Sequence, residues 1–309
     1  MKKLSCLIPL YRSRRFMEII RANIDAHLEL DAEIIISDRH LLDDTTTILS
    51  EIYRGERNVK IIEAKDELNW VDNINILVSA CGGEYFRITP HDDTATAEST
   101  RRLTEALDRD TSAILAYGVV HACTLHGRPL PDKDHSNATE MPGVSQWNLE
   151  DALSLFWMGR YGGSFKGVVR AKMVRKSNLL IKKTPTLIHS ERAWLFALAL
   201  KGPFSFVPDS ILIKRYYEDS THRTWKHTAQ TLLDVAATMQ EYCTELLEDS
   251  ALQRQAIFNV LVNAHRRAAC FDTHAQAPSP YLSLHETAHL LDVESTNSLA
   301  VLADQRRWR

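Results

Sequence analysis

The chain has 309 residues, 25% charged and 44% hydrophobic, with 37 Lys+Arg against 40 Asp+Glu and a formal net charge of -3. This mix suits a soluble globular protein with room for one large α/β domain and an appendage. It excludes an intrinsically disordered chain, and its near-neutral balance argues against nucleic acid as a main partner.

Leu4 to Pro9 is a short apolar run, as a buried parallel strand requires, and Phe16, Ile19, Ile20 and Ile24 follow at helical spacing. Glu33 to Ser37 is a second, β-branched strand. Asp43-Asp44 then suits the N-terminus of a helix running through Ile48, Leu49 and Ile52. Val59 to Ile62, Val71 to Ala80 and Tyr85 to Ile88 continue the alternation as strand, helix and strand, with Pro90 as the stop. A helix near Thr96 to Leu107 and a strand at Ala113 to Val119 complete it. This spacing predicts an α/β fold: a mostly parallel twisted sheet with helices on both faces. Residues 124–146 read as a hairpin and a long surface loop. Strands are expected at Ser164 to Val169 and Ile211 to Tyr217, around a helix from Glu191 to Leu200. From about Thr224 the pattern is helical, with one stripe of Leu232, Leu233, Ala236 and Met239 and another of Ile257, Val260, Leu261 and Ala264. The expected division is 1–222 for the α/β domain and 223–309 for a C-terminal helical appendage.

Five widely spaced cysteines (Cys6, Cys81, Cys123, Cys243, Cys270) without a C-x-x-C give neither a disulfide framework nor a zinc knuckle, and suit a reducing compartment. The apolar run after Met-Lys-Lys, about seven residues, is too short for a secretory or membrane-spanning segment, so a cytoplasmic location is expected.

Open α/β sheets bind ligands outside the carboxyl ends of their strands. The polar residues there are Pro9-Leu10-Tyr11, Ser37-Asp38, the stretch Asn69-Trp70-Val71-Asp72-Asn73-Ile74-Asn75, and His91-Asp92-Asp93. Paired carboxylates at a strand end make an oxygen-rich site for Mg²⁺ or Mn²⁺, which proteins usually hold through one or two carboxylates together with substrate phosphates.

Ser5-Cys6-Leu7-Ile8-Pro9-Leu10-Tyr11 resembles the opening strand of family 2 glycosyltransferases, S-x-I-I-P-x-Y. Ala32 to Asp38 followed by Asp43-Asp44-Thr45 is similar to their E-I-I-V-V-D-D…D-D-T segment. Gly83-Glu84-Tyr85 running into His91-Asp92-Asp93 is similar to the G-E-Y strand and its metal-binding D-x-D. Glu191-Arg192-Ala193-Trp194 through Gly202 resembles the helix that carries the catalytic base, and Lys214 to Tyr217 with Ser220-Thr221-His222 the closing strand and loop. The chain departs from the pattern at Pro90, which stands where the first Asp of L-D-x-D-D falls. It departs again at Arg39 and His40 after Asp38, and at Ser190, where the base motif has Glu.

The resemblance implies a GT-A type fold and inverting transfer of a sugar from a nucleotide-diphosphate donor to a glycan or lipid-linked acceptor hydroxyl, in surface polysaccharide or glycan assembly. It implies Glu191 as general base, with Mn²⁺ or Mg²⁺ held by Asp92, Asp93 and His222. Donor-binding residues would be Pro9, Tyr11 and Asp38 at the nucleobase, Trp70, Asn73 and Asn75 on the sugar-phosphate side, and His91, Asp92 and Arg215. Two other readings stand beside it. Pro90 and Ser190 leave open a catalytically impaired nucleotide-sugar-binding protein of the same fold. His285-Glu286-Thr287-Ala288-His289 matches the H-E-x-x-H zinc-peptidase signature, but lacks a downstream third ligand at the expected spacing. The C-terminal helices, with Trp308 among Arg306, Arg307 and Arg309, leave three uses: packing on the catalytic domain, a homodimer, or peripheral docking on the inner membrane face.

Overall fold

In the computed structural model, which describes residues 2–38, 43–62, 67–134, 163–220 and 223–272, one eight-stranded sheet runs in the order β3-β2-β1-β4-β7-β6-β8-β5. Its first half follows the sequence pattern. β1 (Leu4–Leu10), β2 (Glu33–Asp38), β3 (Val59–Ile62) and β4 (Tyr85–Ile88) are mutually parallel. Side chains alternate between faces along a strand, so neighbours enter different cores. Leu7 and Ile35 join one core with Val71, Leu77, Phe86 and Trp194, whereas Ile8, Ile34 and Ile36 join Ile20, Ile24, Leu103 and Leu107 on the other face. The helices that supply these partners are α1 (Met17–Leu28), α3 (Trp70–Ala80) and α4 (Ala97–Arg109); α2 (Thr45–Ile52) follows β2 and buries Leu49.

The second half is less regular than the alternation predicts. β6 (Leu115–Thr124) does not pair with β4. The short β7 (Val168–Arg170) lies between them, antiparallel to both. Residues Ser164–Lys166, expected as the start of a strand, form a single 3₁₀ turn instead. The turn sits directly on β6: a Cβ on Gly167 would meet the Ala116 carbonyl oxygen at 2.4 Å, so only glycine lets the chain reverse there. β8 (Phe204–Tyr216) begins seven residues earlier than its alternation suggests, because Pro208-Asp209 masks the pattern; it runs parallel to β6 and antiparallel to β5 (Thr94–Ala95). The expected hairpin after β6 is present around Gly127, with Thr124 N–H donating to the Arg128 carbonyl at 2.8 Å; a 3₁₀ turn at Pro131–Lys133 follows, and the loop from 135 onward lies outside the described residues.

Two short helices complete the α/β part, α5 (Ala171–Lys176) and α6 (Ser190–Ala199). In α6 the indole of Trp194 is fully buried and donates to the Leu179 carbonyl at 2.9 Å. α7 (Ala229–Leu246) starts at a capping box between Thr228 and Thr231, and α8 (Ser250–Asp272) packs on it. Val235, Ala236, Met239, Ala256, Val260 and Ala264 bury themselves in the same core as Trp194, so these helices pack on the sheet domain. No described helix is long and apolar enough to cross a membrane.

Candidate active site

The carboxyl ends of β1 and β4, the N-terminal turn of α3, the 3₁₀ turn at Ser164–Lys166, the start of α6 and the end of β8 surround a cavity of about 290 Å³. Asn73 clips two strand ends together. Its Nδ2 lies 3.4 Å from the Leu10 carbonyl and 3.3 Å from that of Ser37, while its buried Oδ1 has no partner within the described residues. Trp70 opens α3 behind the Asn69 cap, and its Nε1 is likewise buried without a partner. Unsatisfied buried polar atoms are rare in folded proteins, and their gathering on one cavity wall marks a surface shaped for a polar ligand.

At the β4 end the acids are already engaged. Asp93 is 1% exposed; its Oδ2 pairs with the Lys166 ammonium and its Oδ1 accepts the Arg215 backbone N–H at 3.3 Å. Burial pushes its carboxyl upward against the opposing pull of Lys166. Asp92 goes the other way: burial raises it, but His91, Lys166 and the Tyr217 hydroxyl at 2.7 Å together hold it below the usual carboxylate range. Arg215 also binds the Asp92 carbonyl at 3.1 Å and Thr94 Oγ1 at 2.8 Å, locking the acid segment to β8. Burial and the neighbouring Lys166 lower the Lys214 ammonium, which faces the same acids. Beneath Asp93 lies a buried polar circuit. Arg87 Nε donates to the Lys166 carbonyl at 3.1 Å, and its Nη1 binds Ser99 and Thr100. His27 bridges Thr100 and the Asn23 carbonyl, and Asn23 Nδ2 returns to the Asp93 carbonyl at 2.8 Å.

Glu191, in the first turn of α6, also lines the cavity. Its side chain is 18% exposed, and Oε2 is buried without a hydrogen-bond partner among the described residues. His189 caps α6 in the left-handed conformation (φ 60), with Nδ1 3.6 Å from Glu191 Oε1 and Nε2 3.1 Å from His227 Nδ1. Asp92, Asp93 and Glu191 therefore share one cavity. Three cations, Lys166, Lys214 and Arg215, line it with them.

The sequence profile of glycosyl transferase family 2 matches residues 5–162, just over half of the chain. This chain belongs to that family. Its fold is similar to that of S. aureus TarS 1-349 in complex with UDP-GlcNAc, at a TM-score of 0.62 and 14% identity over 89% of this chain and 76% of that one. It is similar too to the same protein in complex with UDP, at 0.61 and 13% identity over 93% and 78%. A mannosyltransferase from Pyrobaculum calidifontis in complex with GDP-Man and Mn²⁺ matches at 0.49 and 13% identity over 97% and 80%. A search of curated protein sequences finds no match. The sheet and helices are those of a GT-A type fold.

In this family 2 chain, Pro9, Tyr11, Trp70, Asn73, His91, Asp92, Asp93, Glu191 and Arg215 all line the cavity. Asp38 does not: it is buried at the end of β2, opposite Leu10, at the margin of the cavity. Asn75 is turned away from it. Its amide forms two 2.9 Å hydrogen bonds with the backbone of Ile181, so it ties α3 to the segment before α6 rather than touching a donor. Arg215 spends one guanidinium nitrogen on Asp92 and Thr94 before any ligand arrives. His222 and the His285-Glu286-x-x-His289 motif lie outside the described residues.

The sequence reading missed Lys166, Trp225, His189 and His227. Trp225 also lies past the expected boundary at 222, yet lines the cavity beside Trp70, with ring centroids 6.3 Å apart.

Among the described residues no three His, Cys, Asp or Glu side chains gather closely enough to hold a metal alone. Among the described residues the donor set fits an ion through one carboxylate. Asp93 is taken by Lys166 and Arg215, which leaves Asp92, kept anionic and facing the cavity, as the carboxylate for an ion that arrives with phosphate.

Proposed function

We propose that this family 2 transferase moves a sugar, with inversion, from a nucleotide-diphosphate donor to an acceptor hydroxyl on a glycan or lipid-linked substrate, in surface polysaccharide or glycan assembly. One observation carries the reading. The acids at the end of β4 and Glu191, whose Oε2 has no hydrogen-bond partner among the described residues, line a single cavity, which brings together the groups that donor binding and acceptor activation need.

Glu191 takes the acceptor proton on Oε2, which has no hydrogen-bond partner among the described residues. The acceptor oxygen then attacks the anomeric carbon through an oxocarbenium-like transition state, and the nucleoside diphosphate leaves with the bonding electrons. Lys214, Lys166 and Arg215 bring positive charge to that leaving group, and Trp70 and Asn73 offer their unpaired Nε1 and Oδ1 to the donor. A Mn²⁺ or Mg²⁺ held through Asp92 would neutralise charge on the diphosphate. Pro9 and Tyr11, with Asp38 at the margin, form the nucleobase side. Residues 1–222 make up the donor-binding unit, with the later helices supporting α6 and Trp225 completing the cavity wall.

The test is a binding and turnover comparison. Nucleoside diphosphates, screened by thermal shift, should raise the melting temperature, and more so with Mn²⁺. Glu191→Gln should keep that shift while turnover falls by about 10²–10⁴-fold. Full turnover in Glu191→Gln would remove the assigned base; no shift with any nucleotide would remove the donor site.

A further inference from the structure

His189 occupies a backbone conformation that a non-glycine residue adopts only under constraint, φ 60 at the N-cap of α6. The strain does not serve the helix, because the side chain makes no capping hydrogen bond. It serves the ring, which is swung between two partners. Nδ1 faces Glu191 Oε1 at 3.6 Å, and Nε2 meets His227 Nδ1 at 3.1 Å with the two imidazoles stacked, centroids 4.9 Å apart. Trp225 closes the edge of the pair at 5.8 Å. His189 is 15% exposed and its Nδ1 is buried with no hydrogen bond formed, like Glu191 Oε2.

We propose that His189 is a positioning residue for Glu191: its Nδ1–H, fixed in that tautomer by His227, holds Oε1 and keeps Oε2 aimed at the acceptor hydroxyl. This rests on Glu191 being the base. The tautomer follows from the partners. A carboxylate faces Nδ1, so Nδ1 carries the proton; Nε2 is then the acceptor and takes the Nδ1–H of His227. The 3.6 Å gap is of the kind that tightens when a substrate loads. The proton balance is simple: the acceptor O–H breaks, its proton goes to Glu191 Oε2, and His189 keeps its own proton throughout. A base oriented by a third group is a recurring arrangement for acid–base work, here with imidazole and carboxylate in exchanged roles. Other charges facing this group are Arg192 on α6, beside His227, and Lys214 on β8, beside Glu191.

The decisive comparison is His189→Asn against His189→Gln. Asn tolerates the left-handed backbone and puts an amide nitrogen where Nδ1 stands, whereas the Gln amide falls one methylene too far. In His189→Gln, kcat should drop about tenfold to a hundredfold with the donor KM unchanged, and the acid limb of the kcat profile should move to higher pH. His189→Asn should recover most of both. His227→Phe, exposed and keeping the stack, should reproduce a weaker version of the Gln phenotype without loss of folding. Equal kcat and an unmoved acid limb in His189→Gln would overturn the proposal, as would equal losses in the Asn and Gln variants. Glu191→Gln separates the two claims: if it abolishes turnover while His189→Gln is silent, the base stands and the positioning role falls. If it leaves turnover intact, the base itself is wrong.

Discussion

Asp93 and Glu191 line the same cavity under opposite conditions. Asp93 is surrounded: Lys166, the Arg215 backbone and, beneath them, the circuit of Arg87, Thr100, His27 and Asn23 account for the polar groups around it. Glu191 has one oxygen with no hydrogen-bond partner among the described residues and a histidine just out of reach. The β4 end is built to hold its shape, and a satisfied buried network rigidifies what it surrounds. The α6 end is left incomplete, and an incomplete polar site is where a substrate atom completes the set. Donor grip and proton abstraction make these different demands, and the chain meets them with the same chemical group in two environments.

The largest effect should come from breaking the satisfied end. Asp93→Leu strands the Lys166 ammonium, 15% exposed, against an apolar wall. Removing one partner of a buried pair costs about 3–5 kcal/mol, readable by denaturant titration. Asp92→Asn, by contrast, should keep the fold and lose the Mn²⁺-dependent part of nucleotide binding. If Asp93→Leu is as stable as the parent, the β4 end is not the rigid one.

The circuit under Asp93 also predicts an acid limit. Burial chiefly, helped by the Arg87 charge, lowers His27 to about 4, below its ordinary value of 6.5. Between those values the unfolded chain binds a proton that the folded chain refuses, so stability rises with pH across the window. The contribution is complete above 6.5 and is lost as pH falls toward 4, a change of roughly 3 kcal/mol. His27→Gln should flatten that slope in thermal melts taken from pH 7 downward; a slope identical to the parent would move the acid sensitivity elsewhere.

Which of these parts could be read before folding depends on range. β1, β2 and the run into His91-Asp92-Asp93 are local patterns: short continuous apolar strands ending in polar residues, with the ligand side fixed by strand direction. Glu191 came from the resemblance instead, by its place eleven residues before Gly202 in a segment similar to the base-carrying helix. Lys166 was not legible, because its partner Asp93 and the Arg87 that grips its carbonyl come from strands formed far earlier, Arg87 being 79 positions away. The strand expected at Ser164 to Val169 overlaps β7, but three residues carry no period that would reveal its bounds or its antiparallel direction. Asn75 misled for the opposite reason. It sits near Asn73 in sequence, but the two point apart around the helix, one to the cavity and one to Ile181.

The smallest effect is the most informative about the incomplete end. Glu191→Met keeps the length of the side chain but removes a largely buried carboxylate oxygen that no described group satisfies. An unsatisfied buried acceptor carries a desolvation cost, so the substitution should leave stability unchanged or raise it by about 1 kcal/mol, while abolishing transfer. The positive charge of Lys214 opposes the gain, since it loses one of the three acids it faces, but Asp92 and Asp93 remain to it. Denaturant midpoints of Glu191→Met and Asp93→Leu, measured side by side, should therefore move in different directions from the same parent. A loss in both would mean that Glu191 is held by the fold as firmly as Asp93 is, and that its free oxygen is not reserved for a substrate.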